Sequence, residues 1–96
     1  MSVSNLKLTI FEAFLGAIND GLRAISFDYN DEKIVIYGYY DREPNDEDYE
    51  IIDIAVTEIL ASNPHFKNQE IILKHSNEPK SKLNFHKGLV FLRYEE

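Results

Sequence analysis

Leu22-Arg23-Ala24-Ile25-Ser26-Phe27-Asp28-Tyr29, then Asn30-Asp31-Glu32, then Lys33-Ile34-Val35-Ile36-Tyr37-Gly38-Tyr39-Tyr40 is the stretch that decides the fold. Ile25, Phe27 and Tyr29 share one face of an extended chain; Ala24, Ser26 and Asp28 share the other. The second run is rich in Ile, Val and Tyr, which fit a pleated, half-buried surface. Three turn-forming residues lie between the runs. The spacing predicts an antiparallel hairpin.

Upstream, Leu6, Ile10, Phe14 and Ile18 recur at four-residue spacing, with Phe11 and Leu15 beside them, which predicts a helix over Ser4 to Ile18. Ser4 or Asn5 is the expected cap, and Asn19-Asp20-Gly21 the expected stop. Downstream, Asp41 to Pro44 reads as a loop and Asn45 as the N-cap of a second helix running to about Ser62. Tyr49, Ile52, Val56 and Ile59 line one face of it, widened by Ala55 and Leu60. Asn63-Pro64 stops it. Gln69 to His75 reads as a third strand with Ile71 and Leu73 on one face. Ser76 to Lys87 reads as a polar loop, and Leu89 to Tyr94 as a fourth strand. The order α-β-β-α-β-β predicts an α+β fold, a single domain over residues 1–96. Its four-stranded sheet packs two helices on one face and leaves the other face exposed. Strand order is not legible. If the second and third strands are parallel, the helical crossover between them is expected to be right-handed.

At 96 residues the chain can bury roughly 60–70% of its unfolded surface, enough for one core. Six Tyr and six Phe supply that core. There is no cysteine, which rules out disulfides and thiol chemistry and fits a reducing compartment. Met1 to Lys7 does not read as a signal peptide, and no apolar run approaches the ~20 residues of a membrane span. A net charge of −7 argues against nucleic acid or anionic lipid as the partner.

That charge is local. Ten carboxylates fall between Asp28 and Asp53, opposed only by Lys33 and Arg42, so this segment carries −8. Asp46, Glu47 and Asp48 would sit in a helix's first turn, where the dipole stabilises each by ~0.3–1 kcal/mol, and solvation alone accounts for them. Asp28, Asp31, Glu32, Asp41 and Glu43 have no such explanation. A concentrated field of one sign attracts a partner of the other. Tyr37 and Tyr39 fit a core face and a surface equally well.

Several chemistries are absent. The four glycines are too dispersed for a phosphate cradle, and no nucleophile elbow exists. His65, His75 and His86 are too widely spaced for a zinc site, and the acidic run lacks the calcium-loop pattern. Neither metal nor cofactor is expected. Loop carboxylates stay ionised in water, unlike a catalytic pair held apart by burial, so a carboxylate-dependent hydrolase is the weaker reading. Arg23 and Arg93 read as strand arginines in ion pairs, Arg93 with Glu95 or a nearby acid. Lys74, Lys80, Lys82 and Lys87 read as solvated.

Leu22-Arg23-Ala24-Ile25-Ser26, Tyr39 through Glu50, Thr57-Glu58-Ile59 and Phe91-Leu92-Arg93-Tyr94-Glu95 together resemble a family. It is that of the small immunity proteins of bacterial contact-dependent growth inhibition and related polymorphic toxin systems. The resemblance implies a non-enzymatic protein in the producing cell's cytoplasm. Such a protein binds the C-terminal domain of its cognate toxin, commonly a basic nuclease and often one that cuts transfer RNA. Clustered carboxylates suit that task, because they can stand where phosphates would lie. The candidate contacts are Asp28, Asp31, Asp41, Glu43, Asp46, Glu47 and Asp48, with Tyr39, Tyr40 and Tyr49 as aromatic anchors. The alternative within binding proteins is a DNA-mimic regulator of a nucleic-acid-binding protein.

Overall fold

The hairpin forms over the expected residues. Strand β1 is Leu22–Tyr29 and strand β2 is Lys33–Tyr40, paired antiparallel from Leu22↔Tyr40 to Tyr29↔Ile34. The computed structural model describes residues 3–18, 20–79, 82–83 and 85–93, with side chains from Leu6 onward. Helix α1 (Val3–Phe14) precedes the hairpin; helix α2 (Asp46–Ser62), strand β3 (Asn68–His75) and strand β4 (Gly88–Leu92) follow it. The sheet order is β3-β2-β1-β4, with β3 parallel to β2 and β4 antiparallel to β1.

Pleat parity sorts the side chains. Ile34, Ile36 and Tyr40 of β2 point into one core with Leu22, Ile25 and Phe27 of β1, under Leu6, Ile10 and Phe14 of α1 and Ile52, Val56 and Ile59 of α2. Leu22 and Ile25 reach the same side despite their odd separation because a register shift lies between Leu22 and Ala24. A second shift, between Ile25 and Ser26 on the β4 side, skips Val90, so Val90 and Phe91 both pack on the main core.

Three expectations need correction. Helix α1 is already under way at Val3, so Ser4 and Asn5 lie inside it and do not cap it. It ends at Phe14, four residues early. There Leu15 N–H donates to Glu12 C=O and Ala17 N–H to Phe14 C=O, bonds that tighten the chain ahead of Gly16. Leu15 and Ile18, beyond that end, are exposed, and so is Phe11 on the outer face of α1. The expected stop at Asn19 and the strand end at Tyr94 lie outside the described residues. The third correction is the far sheet face, which is covered. Leu83, Phe85 and Leu89 pack over Ala24, Tyr37 and Tyr39, and the His86 ring stacks on Tyr37 at 3.5 Å. Gly88 lets β4 lie close against β1 on the main-core side, because a side chain there would overlap the Phe27 ring.

Tyr40 is 0% exposed and is among the largest fully buried side chains. Its hydroxyl has no hydrogen-bond partner among the described residues. Burial first, and Asp48 second, push its pKa from 10.0 up to about 12. A folded-state pKa above the unfolded one leaves stability intact below pH 10 and erodes it as pH rises toward 12. Tyr40→Phe is therefore expected to hold or raise stability at pH 7, since it removes an unsatisfied hydroxyl. It should also lessen the loss between pH 10 and 12. Tyr40→Ala should cost about 3–5 kcal/mol. Urea titrations at both pH values check all three.

Candidate partner-binding surface

Helix α2 starts on a hub of hydrogen bonds. Asn45 caps it: the Asn45 side chain accepts from Asp48 N–H at 2.9 Å, and the Asp48 carboxylate accepts from Asn45 N–H at 2.9 Å. This reciprocal arrangement satisfies two backbone donors that a helix start otherwise leaves open. The same Asp48 carboxylate takes both arms of Arg42, at 2.6 and 3.0 Å. Arg42 also donates to Asp20 C=O at 2.9 Å, and its guanidinium lies 5.5 Å from the centre of the Tyr40 ring. The hydrogen bonds to Asp48 hold the Arg42 pKa above its ordinary value. Gly21, at φ +87, gives Arg42 its room, because a side chain there would meet Arg42 Nε. Asp41 N–H closes the same corner on Gly21 C=O at 2.8 Å.

Asp48 is thus 1% exposed and fully engaged, and Tyr40 is sealed beneath Arg42. Neither is a surface contact, and both leave the candidate set. Tyr39, 6% exposed, is covered as well. Tyr49 is 42% exposed and stays available.

The remaining acids do not form one flank. Asp28 and Asp31 lie at the turn end of the hairpin, while Asp41, Glu43, Asp46 and Glu47 lie at its open end. Eight strand residues at ~3.3 Å each separate the groups by roughly 25 Å, several Debye lengths at ~8 Å in physiological salt. Two patches therefore act independently. Several of these acids are also neutralised internally. Lys87 stands 3.8 Å from Asp28, donates to Tyr29 C=O at 2.6 Å and covers the Tyr29 ring. It is not simply solvated. Arg93 holds Asp41 at 2.9 Å, making Asp41 the nearby acid expected for it, and Glu95 lies outside the described residues. Arg23 is buried and donates to Ser76 C=O at 2.8 Å.

What stays unopposed is α2. Its seventeen residues, DEDYEIIDIAVTEILAS, hold six carboxylates and no lysine or arginine. Only Asp48 has a cationic partner among the described residues. Asp46, Glu47, Glu50, Asp53 and Glu58 are exposed. Glu43, 86% exposed and 3.4 Å from His75 Nδ1, extends this surface by one residue. Glu50, Asp53 and Glu58 were not among the sequence candidates, although a helix with no basic residue was visible in the sequence. Among the described residues no group of three His, Asp or Glu is placed to hold a metal ion. Among the described residues no helix is long and apolar enough to cross a membrane.

The fold and this surface define a small α+β domain with an anionic helix. Residues 3–95 match the family model of the MafI2 immunity protein, and the chain belongs to that family. It is an immunity protein of a polymorphic toxin system. No curated protein matches it.

The hub makes a direct prediction. Asp48→Ala removes the cap box and the charge-assisted bonds at once, and should lower stability by about 2 kcal/mol. Arg42→Gln should lower the melting temperature too, because it leaves a buried carboxylate without its counterion. Urea and thermal unfolding check both.

Proposed function

We propose that this chain is a non-enzymatic inhibitor that binds the C-terminal domain of its cognate toxin through the outer face of α2. In this reading the toxin is a nuclease and the protein acts in the cytoplasm of a cell that delivers its toxin by contact. The observation that supports it is the charge of α2: six carboxylates, no cation, and five of the six without a cationic partner among the described residues. Self-repulsion of this kind opposes the fold and is relieved by a basic partner. A nuclease carries lysines and arginines where phosphates bind. Carboxylates of Glu43, Asp46, Glu47 and Glu50 offer those cations oriented, charge-assisted hydrogen bonds.

Magnitudes set the division of labour. Nanomolar neutralisation requires about 12 kcal/mol. Exposed ion pairs give ~0–1 kcal/mol each, so four of them steer and orient but do not hold. Desolvated apolar and aromatic contacts must carry most of the affinity. Tyr49, in the midst of the acids and half exposed, is one such anchor. The hairpin-turn acids Asp28 and Asp31 lie too far away to share the same steering field.

The combined variant Glu43→Lys, Asp46→Lys and Glu47→Lys tests this. Association with the cognate toxin domain should slow at least tenfold at low salt, and its salt dependence should flatten. Asp31→Lys should change the rate less than twofold. Stopped-flow kinetics from low to physiological salt decides: an unchanged rate and salt slope for the triple variant would place the contact elsewhere.

A further inference from the structure

Helices α1 and α2 do not close on each other along their outer side. A groove of about 320 Å³ runs between them. The buried Ala17 and Ala55 lie at its base with Ala13 beside them, and nothing lies within 4 Å of where a side chain at the exposed Gly16 would begin. Ile51 and Ile54 also line it, with Ile54 57% exposed. Glu12 from α1 and Glu58 from α2 stand in its lining, and neither has a cationic partner among the described residues. The groove thus combines an apolar floor with one carboxylate from each helix.

We propose that this groove seats a lysine- or arginine-bearing apolar segment of the toxin, the aliphatic stem against Ile51 and Ile54 and the charged head between Glu12 and Glu58. The inference rests on the immunity reading and names the place where affinity, rather than steering, is generated. Long cationic side chains bury their methylenes on apolar surface and keep the charge at the edge. That matches the groove group for group. A neutral apolar segment would strip water from two carboxylates without replacing it. A second copy of this chain would bring its own Glu12 and Glu58 to the same place, along with a net charge of −7 on each molecule. Charge therefore selects a basic protein over self-association. The groove and the acidic start of α2 both fit beneath one interface of ~800 Å² per partner.

Titration calorimetry with the purified cognate toxin domain tests the groove. Ile54→Ser and the double variant Glu12→Gln with Glu58→Gln change only exposed side chains, and circular dichroism confirms their fold. Each is expected to weaken binding at least tenfold, with Asp31→Asn as a control that stays within twofold of wild type. If wild type binds and both groove variants bind within twofold of it, the groove is not the seat and the immunity reading stands. If wild type does not bind, the immunity reading fails and its occupant of the groove fails with it. Sedimentation of the chain alone gives the remaining outcome: a dimer that Ile54→Ser dissolves would assign the groove to a second copy and overturn the proposal.

Discussion

The pairing of Arg42 with Asp48 is the contact on which the arrangement of this molecule turns. One carboxylate closes the helix cap at Asn45 and receives both arms of a guanidinium that also holds the chain at Asp20. Three separate pieces of backbone therefore meet at one buried charge: the turn before β1, the end of β2 and the first turn of α2. Buried ion pairs are poor sources of net stability, but breaking one is costly, which makes them good at fixing geometry. Here the geometry fixed is the direction in which α2 leaves the sheet. With Asp48 turned inward, Asp46, Glu47 and Glu50 face outward on a rigid helix start.

Charge is handled differently on the hairpin and on α2. Asp28 near the turn and Asp41 at the open end are matched by Lys87 and Arg93, residues that close the C-terminal part of the chain over β1. Those pairs are internal fasteners. Apart from Asp48, the acids of α2 receive no such match among the described residues, although the chain contains ten Lys and Arg. The family to which the chain belongs implies a toxin as the partner, and in the proposed function the charge of α2 is the complement of a basic one.

Much of this was legible in residue order. The bounds of β1, β2 and α2 followed from pleat alternation and from Asn45 as a cap, because those signals are local. Tyr40 could have been assigned to the core, since it shares parity with Ile34 and Ile36. Asp48 could have been removed from the surface candidates, because it stands three residues after a cap. What residue order concealed was distance. Carboxylates close together in the chain fall at opposite ends of a hairpin, so a single acidic segment becomes two patches. The early end of α1 was hidden too, since Leu15 and Ile18 continue an apolar pattern that the backbone abandons at Phe14. So was the covering of the far sheet face, where Leu83 and Phe85 sit in a stretch that reads as polar loop.

The central claim is that α2, oriented by Arg42 and Asp48, presents its outer face to the toxin. Amide hydrogen exchange of the chain with and without its toxin domain reads that face directly. Slower exchange confined to α2 and the adjoining end of α1, with the Asn30–Glu32 turn unchanged, is the predicted pattern. Protection at that turn, or along the outer edge of β3, with α2 exchanging as in the free protein, would contradict the account.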